Sequence, residues 1–319
     1  MHALSAPSSD WAVLLELARS LLRRVSHTLG ASRLGEQARA RNPDTDHADG
    51  GGPRGPQVML VGAGPGDPQL LTLKALRAIE AADVILHDQL VSPEVLALAP
   101  AHIERIDVGK KGYGRGCRQG DINDLMVALA TTGRRVVRLK AGDPLMFGRL
   151  EEEIVALDKA GIAFGVVPGI SAAQGAAARL GVPLTRRRGA RRFQAITGHA
   201  VNGRLPDDFD WAGLADPKAT TAVYMPKATI GDLCRELMAR GLPGNHPVAA
   251  VVNATRRDEL VLSASLATLA QRIAAAPAAG PCIILIGVAA ARRAAALQSS
   301  DLDQAGVEDC SSYPGVTPG

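Results

Sequence analysis

From Val58 onward, short apolar runs alternate with stretches in which apolar residues recur every three or four positions. Runs of four to eight apolar residues bounded by turn residues predict strands, and the three-to-four spacing predicts helices between them. In the first half the strand-like runs cover 58–61, 82–88, 103–108, 135–139 and 161–167. Five strands separated by helices predict a mostly parallel sheet, with the functional loops at the carboxyl ends of its strands. A helix of small residues over 171–180 follows. Strand-like runs then recur at 193–196, 220–225, 248–252, 259–262 and 282–286, mixed with helices such as 230–240. This is the pattern of a second α/β domain joined to the first near Pro168.

The flanks break the pattern. Residues 11–22 (WAVLLELARSLL) form a short amphipathic stretch ending in Arg23-Arg24, and 38–56 is rich in Gly, Pro, Asp and Arg. The segment 1–56 therefore reads as an extension with a flexible linker, and both a docking helix and a dispensable tail fit it. Asp10 and Glu16 argue against a secretory leader. From Gln298 the chain is polar, which predicts a disordered tail. The expected division is 1–56 extension, 57–168 first domain, 169–297 second domain and 298–319 tail.

Composition narrows the function classes. With 46% hydrophobic and 21% charged residues, the 319-residue chain is of ordinary globular make-up. Aromatics at 3% leave few platforms for stacking nucleic-acid bases. Cys117, Cys234, Cys282 and Cys310 lack the paired spacing of a zinc site or a disulfide framework. No apolar run approaches the roughly 20 residues of a membrane span. The expectation is a chain of the reducing cytoplasm without metal, membrane or nucleic-acid partner.

The candidate chemistry begins at VMLVGAGPGDP, residues 58–68. A strand entering a glycine turn and then a helix opens a ligand crevice in an α/β domain. Its spacing is G-x-G-x-G and not the G-x-G-x-x-G of dinucleotide sites, and Asp67 would sit where a pyrophosphate belongs. A nicotinamide cofactor is therefore disfavoured. On spacing alone, Asp88 is a helix cap, Lys110 a solvated loop charge and Met225 a core residue. The run RRRGARR over 186–192 carries five arginines, which alone would mark a solvated face or a nucleic-acid patch.

Taken in order, GAGPGDPQLLTLKA, HDQLVSPEVLALA, VGKKG, QGDIN, VVRLKAGDPLMFGR, VVPGISAAQGAAARLGVPLT and TGH resemble the uroporphyrinogen-III C-methyltransferases of the tetrapyrrole methylase superfamily. The resemblance runs from about Val58 to Val288. It implies two α/β domains with the active site in the cleft between them, usually in a homodimer. It also implies S-adenosylmethionine as methyl donor, uroporphyrinogen III as acceptor at C2 and C7, and precorrin-2 as product. Other members of the superfamily methylate different precorrins or ribosomal RNA ribose; VGKK with QGDIN, and the PLT-to-TGH segment, favour the uroporphyrinogen enzymes. A non-catalytic paralogue is the remaining alternative.

By the same resemblance, Asp88 is the proton acceptor and Lys110 the proton donor. Pro65, Ala141, Gly142, Asp143, Met146, Ser171, Ala172, Met225 and Ala254 are implied contacts of S-adenosylmethionine. Lys111, Arg149 and Arg187 are implied partners of the substrate carboxylates, which guanidinium forks pair bidentately. His199 after its strand fits either a cleft-facing or a structural histidine. The chain departs from the family pattern at Ala141 and Ala254 (glycine is usual), Ser171 (threonine), Arg186 (histidine) and Leu150-Glu151 (Gly-Gly). Ala141 would be strained if that position requires a left-handed backbone.

Overall fold

The computed structural model describes residues 55–109, 118–199, 204–277 and 279–287. The amphipathic stretch 11–22, the linker, Lys110, Lys111, Cys117 and the polar tail lie outside the described residues.

Five strands form the first sheet: β1 (Val58–Gly62), β2 (Val84–His87), β3 (Glu104–Asp107), β4 (Val136–Lys140) and β5 (Phe164–Val167). Their order is β3-β2-β4-β1-β5 and every pairing is parallel. Helices α1 (Leu73–Glu80) and α2 (Pro93–Leu96) cover one face, packing Ala75, Ile79 and Val95 on Val61, Ile85, Val137 and Leu139. Helices α3 (Gln119–Thr131) and α4 (Leu150–Lys159) cover the other, where Leu125, Met126 and Leu157 meet Leu60, Leu86 and Val136. Being covered on both faces, the central strand β4 is buried along its whole length, and its neighbours β1 and β2 at all but one position each, as parallel sheets require. Thr72 caps α1 by accepting from the Ala75 N–H at 3.1 Å. α3 begins at Gln119. Asp121 sits within its first turn and accepts from the Arg118 N–H at 3.2 Å.

The second sheet has the order β6-β7-β10-β8-β9, built from β6 (Arg192–Thr197), β7 (Ala219–Tyr224), β8 (Pro247–Val252), β9 (Leu260–Ser265) and β10 (Cys282–Ile286). Only β6 and β7 run parallel; the other pairings are antiparallel. On one face lie α6 (Trp211–Leu214), α7 (Ile230–Ala239) and α8 (Leu269–Ala274). On the other lies α5 (Ala172–Leu180), whose Ala173, Ala176 and Ala177 pack on Ala222, Ala249 and Ile283. α5 leaves the carboxyl end of β5 in the first sheet and docks on the second. Its amino end therefore falls at the junction of the two sheets.

Candidate active site

The floor of the junction is backbone. A Cβ on Gly62 would lie 2.6 Å from the Gly169 nitrogen and 2.8 Å from the Gly142 oxygen. The glycine turn is thus spent on packing three strand ends against one another. Gly64 and Gly142 exchange hydrogen bonds of 3.1 and 2.7 Å, and both take a left-handed backbone. Ala141 does not. Its departure from glycine costs no strain, because the left-handed bend falls one residue later. Asp67, the residue that argued against a pyrophosphate, caps the turn after β1 by accepting from the Gln69 N–H at 2.9 Å.

Contacts across the junction come from the loop after β8. Thr255 accepts from the Asp67 N–H at 3.1 Å. Arg256 donates to the Leu90 carbonyl and lays its stem on Gly66, where a Cβ would lie 2.5 Å from Cγ. A Cβ on Gly175 of α5 would lie 2.8 Å from Pro65 Cγ, so this helix approaches the glycine turn closely.

Between the sheets lies a cavity of about 710 Å³. The first sheet contributes Asp88, Pro65, Ala141, Gly142, Asp143 and Met146 to its wall. Ser171 and Ala172 come from the start of α5, and Met225 and Ala254 from the ends of β7 and β8. All nine implied cofactor contacts and the implied proton acceptor therefore share one cavity. Ser171 is held by a reciprocal cap, accepting from the Gln174 N–H at 3.4 Å and donating its own N–H to Gln174 Oε1 at 3.0 Å. Met225 is no core residue: it is 51% exposed with a left-handed backbone. Asn253 and Thr255 share that conformation, so the second sheet's rim carries three left-handed non-glycine residues. Such positions persist where the surrounding fold over-determines them.

Two of the three implied carboxylate partners, Arg149 and Arg187, stand elsewhere. Arg149 is outside the cavity wall, and its Nε and Nη2 each lie 2.7 Å from an oxygen of Glu152 on the surface. Arg187 is exposed and also outside the wall; its carbonyl accepts from Arg191 Nε at 3.0 Å. Arg186 and Arg192 are engaged on the carbonyls of Gly287 and Gly213. His199 faces the cavity. Leu150, where the family has glycine, starts α4 and is buried in the core.

Three residues escaped the sequence reading. Arg138 and Lys140 of β4 point to the α4 side, fully buried, where Glu153 meets both. Glu153 Oε1 accepts from Lys140 Nζ at 2.7 Å, Arg138 Nε at 3.0 Å and Gln119 Nε2 at 3.3 Å. Arg138 Nη2 donates onward to Asp88 Oδ1. Burial works against the Arg138 charge, and the Asp88 and Glu153 carboxylates outweigh it, raising the guanidinium above its ordinary value. For Lys140, burial and the like charge of Arg138 prevail over the carboxylates and hold the ammonium below its ordinary value. The signal was present in VVRLK. Two charges at alternating positions of a buried strand share one face and require partners.

The cavity fits a cofactor of nucleoside size. Its volume lies within the roughly 300–1,000 Å³ of small-molecule sites. Apolar Pro65, Met146, Ala172, Ala254 and Ile283 line it beside the Asp143 carboxylate and the Gly142 backbone. Among the described residues no group of His, Cys, Asp and Glu could hold a metal ion. No described helix is long and apolar enough to cross a membrane.

Comparison with known proteins agrees with this geometry. Residues 57–270 match the tetrapyrrole (corrin/porphyrin) methylases. The uroporphyrinogen-III C-methyltransferase of Paracoccus denitrificans is 47% identical over 235 residues, covering 74% of this chain and 82% of that protein. The siroheme synthase of Methylococcus capsulatus is 49% identical over 230 residues, covering 72% of this chain and 48% of that protein; the chain spans about half the length of the siroheme synthases it matches. The uroporphyrin-III C-methyltransferase of Thermus thermophilus, solved with S-adenosyl homocysteine, superposes with a TM-score of 0.61 at 36% identity, covering 72% of this chain and 91% of that one. The chain belongs to the tetrapyrrole methylase family of S-adenosylmethionine-dependent methyltransferases.

Proposed function

We propose that this chain methylates uroporphyrinogen III at C2 and C7 to give precorrin-2. The observation that carries this reading is the convergence of Asp88 and the nine family cofactor positions on one cavity between the sheets. S-adenosylmethionine supplies an electrophilic methyl group on a sulfonium. The Ala141-Gly142-Asp143 loop, Pro65 and Met146 hold it from the first domain, and Ser171, Ala172, Met225 and Ala254 from the second. An electron-rich pyrrole carbon is the nucleophile, so positioning supplies most of the catalysis. A proton must leave the macrocycle, and Asp88 takes it, with Lys110 as donor. Lys111, Arg149 and Arg187 pair with substrate carboxylates. For Arg149 this requires exchanging its Glu152 partner for the substrate. The working unit is a homodimer in the cytoplasm.

The test is anaerobic incubation of the chain with S-adenosylmethionine and uroporphyrinogen III, followed by absorption spectra and mass. A gain of two methyl groups is the expected outcome. Cofactor binding by calorimetry without methylated product would redirect the reading to another acceptor, and loss of both would leave a non-catalytic paralogue.

A further inference from the structure

The implied mechanism uses Asp88 and leaves Arg138, Lys140 and Glu153 without a task. Together the four form a closed set of two cations and two carboxylates. Arg138, Lys140 and Glu153 are almost wholly buried, whereas the Asp88 side chain keeps 33% of its exposure and faces the cavity. Three donors converge on Glu153 Oε1, and Oε2 is buried with no hydrogen-bond partner. Arg138 and Lys140 therefore share a single oxygen. With Lys140 charged and seated there, the Glu153 charge is largely answered and the guanidinium of Arg138 acts on Asp88. Without it, Glu153 draws on Arg138 alone, and Asp88 gains basicity.

We infer that Lys140 and Glu153 are positioning residues that set the basicity of Asp88 through Arg138. The inference rests on the proton-acceptor role proposed above for Asp88. Other titratable groups lie on the neighbouring strands and on the cavity wall. His87 precedes Asp88 on β2, and its ring Nδ1 lies 3.3 Å from the Asp88 carbonyl. Asp107 ends the neighbouring β3, with its carboxylate on the Gly109 N–H at 2.7 Å. Asp143, His199, Lys227 and Arg256 line the same cavity. None of these touches Glu153 among the contacts described, so changes at Lys140 and Glu153 reach Asp88 through Arg138 and through space. A nearby cation favours an ionised carboxylate and a nearby anion disfavours it. Removal of the two charges should therefore move Asp88 in opposite directions. A merely structural role would loosen the site in both variants and move Asp88 the same way.

The experiment is a carbon-13 titration of the full chain labelled at aspartate, with the Asp88 carboxyl signal assigned by its loss in Asp88→Asn. Lys140→Met should raise the Asp88 midpoint, and Glu153→Gln should lower it, each by on the order of half a pH unit or more. The double variant and Lys140→Arg should return it close to the parent. Should Lys140→Met fail to fold, the other three still decide the matter, because Glu153→Gln must lower the midpoint while the double variant does not. Shifts of one sign in both single variants, or no shift, would overturn the inference. The acid limb of methyl-transfer kcat should follow the same order. A parent chain that transfers no methyl group, with the titration shifts intact, would sink the proposed function and leave the charge coupling standing.

Discussion

The two sheets meet the cavity with different means. The parallel sheet brings ionisable groups to its carboxyl ends: Asp88 after β2, Lys140 at the end of β4 and Asp143 just beyond. The mixed sheet is apolar where it faces α5, and it shapes its rim by backbone, with Met225, Asn253 and Thr255 all left-handed. Left-handed residues occur on both sides, since Phe147 and Arg149 beyond β4 share that conformation, so what sets the parallel sheet apart is its buried charge at Arg138, Lys140 and Glu153. Parallel strands align their ends on one edge and so gather side chains from several strands. Antiparallel strands alternate their ends, so the mixed sheet must bend its loops to reach the same place.

The contrast can be broken most forcefully at Arg138. Replacing it by Met leaves Asp88 without its cation and buried Glu153 with Lys140 alone, and should cost about 3–5 kcal/mol in denaturant unfolding. A cost below 1 kcal/mol would mean that charge does not organise the first sheet. At the opposite rim, Met225→Gly removes the penalty of a left-handed side-chain residue and should raise stability by about 0.5–1 kcal/mol while weakening S-adenosylmethionine binding. Lower stability would assign Met225 to packing and erase the distinction between the sheets.

The smallest effect belongs to a pair that sharpens the comparison from within the first sheet. Arg135 bonds Asp83 at the amino end of the strands and holds its carboxyl well below the ordinary 3.8, at about 2. The folded value is depressed, so this stability is present above the ordinary value and lost as pH falls toward 2. Both side chains are open to solvent, so Asp83→Asn should cost less than about 1 kcal/mol at neutral pH. That difference should vanish near pH 2 in acid unfolding. A persistent gap at pH 2 would assign the loss to geometry and not to charge.

Both sheets were legible because their strands are apolar runs ended by turn residues, and the cavity wall was legible because its contacts cluster in short loops such as AGDPLM. Strand direction in the second sheet was not, since residue periodicity is the same in parallel and antiparallel pairs. The backbone of Met225 was equally hidden, because left-handed geometry at a methionine is imposed by surrounding structure and not by its side chain. Glu153 was concealed within Glu151-Glu152-Glu153, which reads as a solvated helix start. Two of these carboxylates do face outward, and only the third turns into the core. The arginine run reads as one uniform stretch of charge, yet Arg186, Arg191 and Arg192 each donate to a carbonyl of their own domain.

The balance of two cations against two anions around Glu153 also constrains descent. Loss of any one member leaves a net charge in a buried place, so its effect depends on what the other three are. Lineages can leave the arrangement by paired exchanges of opposite sign, or by single steps that must first be tolerated at reduced stability. The four residues should therefore be inherited as a block, and a homologue that has lost one of them should carry its compensation at another.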